Sequence, residues 1–346
     1  MTPDPIYRQA EHEMVVCNAC RYCEAYCPVF QAMERRVTFT SGDLNYLANL
    51  CHNCGECLYA CQYAPPHEFG IDVPKTFSKL RVESYESMAW PSFAAAAFRR
   101  PYAATMLALV AGAVVSATAA RSFQVADSDF YAVIPHDTMV LLFGLIALFA
   151  VAAIAIGHAR FKAGVTYEPR AAADVLTLTH LHATGEDCVD AEEKRTPWRR
   201  WMHHCTFYGF ALCFASTTVA AIYHLLFGWI APYAYTSVPV VLGVVGGIGL
   251  LIGPAGLFLV ERRRDPALTH ESERSLGSAF LALLFATSLT GLLLLVLRDR
   301  PFMPTLLVIH LAIVVALFVT LPYGKFVHGI YRAAALVKFR REESST

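Results

Sequence analysis

The chain has 346 residues, 56% of them hydrophobic and only 16% charged, with a mean hydropathy of +0.43 and a formal net charge of zero. That balance excludes an ordinary soluble enzyme, implies no general attraction to nucleic acid, and points to a membrane protein. Most of the eleven cysteines fall between positions 17 and 61, which marks a cofactor site rather than a habit of composition.

The first residues, MTPDPIYRQAEHEMVV, show no basic region followed by an apolar core, so no secretory signal is expected. The cysteine region is therefore expected in the cytosol, where disulfides are disfavoured and thiols stay available as metal ligands. Cys17, Cys20, Cys23 and Cys27 follow C-x2-C-x2-C-x3-C-P, the bacterial ferredoxin run for a [4Fe–4S] cluster. Cys51, Cys54, Cys57 and Cys61 repeat the spacing, with Gln62 in place of the proline and prolines delayed to Pro65 and Pro66. In two-cluster proteins the fourth cysteine of each run serves the other cluster. The expected sets are Cys17, Cys20, Cys23 and Cys61 for one cluster, and Cys27, Cys51, Cys54 and Cys57 for the second. Zinc is the alternative, but it prefers cysteine pairs a dozen or more residues apart.

Residues 1–88 read as a small ferredoxin-like domain, and 89–102, with Trp90, Pro91, Arg99 and Arg100, as a linker entering the headgroup layer. Residues 103–330 carry six apolar runs, at about 103–120, 138–157, 205–228, 238–260, 277–297 and 305–327, each long enough to cross a bilayer as a helix. The predicted fold is therefore mainly α: a two-cluster head on a six-helix transmembrane bundle of haem-b type. Basic residues cluster before span one, in the loop 158–202, between spans four and five, and in the tail 331–346. The positive-inside rule then puts both termini and the head in the cytoplasm of a multi-pass inner-membrane protein. Glycine-rich span four predicts close helix packing with a bend at Pro254. Trp229, Tyr233 and Tyr235 suit an outer aromatic belt. No nucleotide-binding glycine fingerprint, Walker sequence or hydrolase elbow is present.

Ionisable side chains inside a membrane are costly, so histidines in the spans call for a reason. His310 and His328 are 18 residues apart on span six, about five full turns, which puts them on one face roughly 27 Å apart. On span three, His203 and His224 differ by roughly 60° in azimuth, whereas His204 and His224 differ by roughly 160°. Spans three and six run antiparallel, so His203 falls at the level of His328 and His224 at the level of His310. Two facing pairs predict axial ligands for one or two b haems, with His204 as the alternative to His203. The competing reading has these histidines bonding carbonyls or holding helices together. His158 is an alternative ligand. His12, His52, His67, His136, His180 and His182 are assigned surface or structural roles, Cys205 and Cys213 packing roles, and Cys188 a free thiol.

The two cysteine runs, YESMAWP, ADVLTLTHLHATGEDC and WRRWMHHCTFYGFALCFASTTVAAIYH together resemble the tricarballylate utilisation protein B (CitB-type) family over nearly the whole chain. The span-three pattern is also similar to the haem-bearing subunit of respiratory nitrate reductase. The resemblance implies a membrane iron–sulfur and b-haem protein. It would take electrons from a cytoplasmic flavoprotein, a tricarballylate dehydrogenase, and pass them to quinone. Three alternatives stay open: a quinol-driven reductase of a soluble acceptor, a partner of a cobalamin-synthesis flavoprotein, and a transporter or sensor with regulatory clusters.

Overall fold

The computed structural model describes residues 4–123, 129–161, 167–181, 188–189 and 195–344, with the backbone alone at 188–189 and 195–196. Asp4 opens the first helix, α1 (Pro5–Cys20): its carboxylate accepts from the Ile6 N–H at 3.1 Å, and Pro5 has no amide hydrogen to leave unpaired. The helix stops at Arg21, whose left-handed backbone lets its N–H bond the Cys17 carbonyl, so the chain turns between Cys20 and Cys23. Pro28 starts α2 (Pro28–Glu34) directly after Cys27. Thr40 and Asp43 form a reciprocal cap on α3 (Ser41–Leu50), which delivers Cys51 at its end. The short α4 (Glu56–Tyr59) and the Asp72-capped α5 (Val73–Met88) complete the head.

The apolar faces of these helices meet in one core around Met14, Met33, Leu44, Leu47, Phe77 and Leu80. The rest of the chain is α6 (Ser92–Ala97), α7 (Pro101–Ala119), α8 (Phe130–Val133), α9 (His136–Phe161) and α10 (Pro169–Thr177), then α11 (Trp198–Phe227) and α12 (Val238–Arg263). It closes with α13 (Glu271–Val296), α14 (Met303–Thr320) and α15 (Val327–Ser344). Two two-residue strands, β1 (Cys188–Val189) and β2 (Arg195–Thr196), pair antiparallel before α11. His182 lies outside the described residues, as does the side chain of Cys188.

Six helices, α7, α9, α11, α12, α13 and α14, are long and apolar enough to cross a membrane. Exposed Leu141, Leu145, Leu148 and Val151 on α9 and Met106, Leu107 and Val110 on α7 form the kind of outward apolar surface that lipid covers. Glycines bring α11 and α12 together: a Cβ on Gly246 would stand 2.8 Å from the Cys213 amide nitrogen and the Gly209 carbonyl oxygen. Helix α12 continues through Pro254 to Arg263.

The end of the bundle differs from the sequence expectation in a way that matters below. The sixth span does not reach residue 327. It ends at Thr320, and residues 321–326, which include Pro322 and Gly324, form a turn. The expected tail is the helix α15, whose Ala335, Leu336 and Phe339 enter the core of the head. Head and bundle are thus packed against each other along the chain's last helix.

Candidate functional site

Cys17, Cys20, Cys23 and Cys61 line one cavity of about 250 Å³ beneath Tyr22 and Tyr63. Cys27, Cys51 and Cys54 line a second, narrower one of about 20 Å³ beside His52 and His180. Cys57 borders both. The two cysteine runs therefore interleave, as the cross-ligated assignment requires: Cys61 joins the first run and Cys27 the second. Among the described residues no three His, Cys, Asp or Glu side chains converge on a point suited to one metal ion. A cubane takes each thiolate on a different iron, so its ligands stand further apart than those of a single ion. Burial, and then the crowding of Cys54 and Cys51, pushes the Cys27 thiol well above its usual range. Burial pushes the Cys57 thiol up as well, and thiols so placed ionise only when a cationic core compensates them, a chemistry that fits iron.

The turn between Cys51 and Cys54 separates the cysteine cavities from a larger space. Asn53 takes a left-handed backbone, which asparagine tolerates, and Gly55 follows at φ 93°. A Cβ on Gly55 would also lie 2.8 Å from Leu268, so both the backbone and the packing demand glycine there. Beyond His52 and Asn53 lies a cavity of about 1280 Å³ where α11, α13 and α15 meet the head, lined by Phe207, Phe210, Phe280 and Phe326 and by His203 and His328. Buried Glu273 on its wall receives Arg81 at 2.6 Å and also pairs with Lys325.

The His203 and His328 rings lie 6.0 Å apart, centroid to centroid, at 73° to each other. Metal–imidazole bonds are about 2 Å and a ring nitrogen lies about 1.1 Å from its centroid, so two imidazoles trans on one iron stand about 6 Å apart. The Nδ1 of His328 bonds the Lys325 carbonyl, which leaves Nε2 for a ligand, as metal-bound histidines are usually fixed. Burial, and then nearby Lys325, pushes His328 well below the usual imidazole range, so the ring is neutral. The Nδ1 of His203 is buried without a hydrogen-bond partner. The size of the cavity and the spacing of the rings fit a haem. His204 turns away to stack on Tyr208 with ring planes 11° apart.

Residues 10–87 match the citrate utilization protein B Fer4-like domain, and residues 93–346 match citrate utilization protein B. The chain belongs to the citrate utilization protein B family. Citrate utilization protein B of Escherichia coli is 45% identical over 349 aligned residues, which span 97% of this chain and 92% of that protein. No solved structure matches the chain. The family's Fer4-like region covers all eight cysteines of the two runs, so the head is an iron–sulfur type domain.

The outer histidines are arranged differently from the sequence expectation. His224 does not meet His310; it stacks on His136 at 3.6 Å, with Tyr131 beside both. Such a stack leaves no room for an iron between the rings, so this pair does not fit an axial ligand set. His310 pairs with the Thr290 hydroxyl at 2.9 Å and lies over Gly291. The reason is topological: α14 ends before His328, so the spacing that placed His310 and His328 on one helix face does not apply. Sequence reasoning also gave His52 and His180 surface or structural roles. Instead His52 is buried, packs 5.8 Å from His180, and borders both the second cysteine cavity and the large one. The available signal was position: His52 and Asn53 are the two residues enclosed by Cys51 and Cys54.

Proposed function

We propose that this chain is a membrane electron-transfer protein of citrate or tricarballylate use, which reoxidises a cytoplasmic flavoprotein dehydrogenase and delivers the electrons to membrane quinone. Its head would hold two [4Fe–4S] clusters, one on Cys17, Cys20, Cys23 and Cys61, the other on Cys27, Cys51, Cys54 and Cys57. One haem b would bind between His203 and His328. When bound, these groups supply one-electron carriers, and the protein supplies their spacing and surroundings. The observation that carries the reading is the shared wall. His52 and Asn53 stand between the second cysteine cavity and the space in front of His203 and His328.

The chain's own residues have definite tasks in this reading. Phe207, Phe210 and Phe326 give the haem cavity an apolar flank, which strengthens the electrostatic interactions beside it. The Lys325 carbonyl fixes the tautomer of His328. Arg199, Arg262, Arg263, Arg332 and Arg340, clustered on the head's side of the bundle, support by the positive-inside rule a cytoplasmic head on a bacterial inner membrane. The relative's name supports citrate or a similar polycarboxylate as the compound being used. That compound would be the substrate of the flavoprotein, not of this chain.

The test is anaerobic purification in detergent followed by iron and sulfide analysis and a visible spectrum. About eight cluster irons per chain and a Soret band of six-coordinate haem are expected. A preparation with zinc in place of iron, or with no Soret band, refutes the corresponding half. Dithionite-free reduction by a polycarboxylate-oxidising flavoprotein dehydrogenase, followed by reoxidation with a quinone analogue, tests the direction.

A further inference from the structure

The turn that encloses His52 and Asn53 is gripped from four sides by arginines. Arg332 on α15 donates to the carbonyl of Cys51, and at 3.4 Å to that of Asn49. Arg81 on α5 reaches the same Cys51 carbonyl at 3.3 Å and that of Ala48 at 3.1 Å. Arg199 on α11 donates to His52 O at 2.9 Å and to Asn53 O at 3.1 Å, and Arg264, just after α12, also donates to Asn53 O. Three consecutive carbonyls leading into Cys54 thus accept charged donors from four separate elements. Arg332 is the most telling of them, because its hydrogen bonds go to carbonyls and it has no carboxylate in ion-pair range among the described residues.

The other cysteine run has a lighter grip: exposed Arg21 donates to Asn18 O at 3.1 Å. Acids stand near both cavities, Glu13 one turn before Cys17 on α1 and Glu56 on the wall of the second, so the arginines are what differs. A fixed cation and aligned N–H dipoles in a low dielectric favour adding an electron beside them, and a fixed anion opposes it.

On the iron–sulfur reading above, we infer that Arg332, aided by Arg81, Arg199 and Arg264, holds the Cys27, Cys51, Cys54 and Cys57 cluster at a higher reduction potential than the Cys17, Cys20, Cys23 and Cys61 cluster. The two helices that bear the haem histidines bear these cations as well. Arg199 and His203 are four residues apart on α11, and His328 and Arg332 four apart on α15, so each pair shares one helix face. The outer cysteine site is then the donor end and the inner one the acceptor end, with the slope running toward the membrane. Arg332 acts here as a positioning residue that sets a potential without touching the iron.

The experiment is a redox titration of the intact protein followed by electron paramagnetic resonance, on wild type and on Arg332→Gln, Arg332→Lys and Arg199→Gln. Arg8→Gln, an exposed change on α1, is the control. Wild type should show two midpoints, with Cys54→Ser removing the higher. Arg332→Gln should lower that midpoint by at least a tenfold change in the one-electron equilibrium, about 59 mV, and leave the other in place. Arg332→Lys should keep most of the wild-type value and Arg8→Gln all of it. Arg199→Gln should move the same signal in the same direction, which keeps the test open if Arg332→Gln fails to accumulate. Loss of the lower-potential signal in Cys54→Ser, or glutamine variants that shift both clusters equally or neither, overturns the inference. An iron content short of two clusters overturns the underlying reading, and this inference with it.

Discussion

His203 and His328 come from helices that are distant in sequence, yet their rings meet 6.0 Å apart across the end of a cavity that the bundle shares with the head. His203 sits one turn inside α11, one of the helices apolar enough to cross a membrane. His328 sits in the first turn of α15, which packs into the head. The pair therefore marks the seam between the two halves of the protein.

Because His204 faces Tyr208 rather than the cavity, the histidine variants should separate cleanly. His203→Ala and His328→Ala should each abolish the Soret band in purified protein. His204→Ala, His224→Ala and His310→Ala should each retain it. A Soret band lost with His310→Ala but kept with His328→Ala would contradict the pairing.

The interleaving of the cysteine runs gives a second expectation. Cys61→Ser should disturb the cluster of Cys17, Cys20 and Cys23, and Cys27→Ser that of Cys51, Cys54 and Cys57, because each serine stands in the other run's cavity. Each variant should fall from about eight cluster irons toward about four. Resonance spectra of the two variants should then show complementary signals rather than the same one.

Glu273 holds Arg81 and Lys325 together where α13 meets α5, with side chains of Arg81 and Glu273 only 3% and 5% exposed. Removing the acid leaves two cations facing each other, so Glu273→Gln should cost about 3–5 kcal/mol. Thermal unfolding in detergent reads this as a lower midpoint. The double variant Arg81→Met, Glu273→Leu should recover part of the loss, since it leaves fewer uncompensated charges.

Glu13 supplies a pH dependence. Burial raises its pKa from the ordinary 4.5 to about 7, and its Oε1 accepts from Thr76 at 2.6 Å and Gln9 at 3.1 Å. Between those two values the folded state holds a proton that the unfolded state has released, so stability falls as pH rises. The contribution is complete below about 4.5 and gone above about 7. Glu13→Gln should flatten this part of the profile and raise the unfolding midpoint at pH 8, while changing little at pH 4.5. Equal effects at both pH values would show that the carboxylate's ionisation is not the cause.

The two cysteine runs and six apolar stretches were legible from spacing and run length, because thiolate ligation and membrane crossing are both set by local chemistry. His203 was chosen over His204 by azimuth alone, since within one helix the angle between residues is fixed. The same reasoning put His310 and His328 on one helix face, because it assumed a helix that continues through Pro322 and Gly324. Of its two pairs only His203 and His328 have rings that meet. In the sequence the arginines of loops and tail read as topology signals. Only the packed molecule shows Arg199, Arg264 and Arg332 reaching the carbonyls beside Cys54. The sequence by itself determined which residues can bind metal and which segments can enter lipid, since each depends on side-chain type and short-range spacing. Tertiary structure decided which histidines face each other and which cysteine site is ringed by cations. Those depend on where helices end and how distant helices dock, and no local periodicity encodes either.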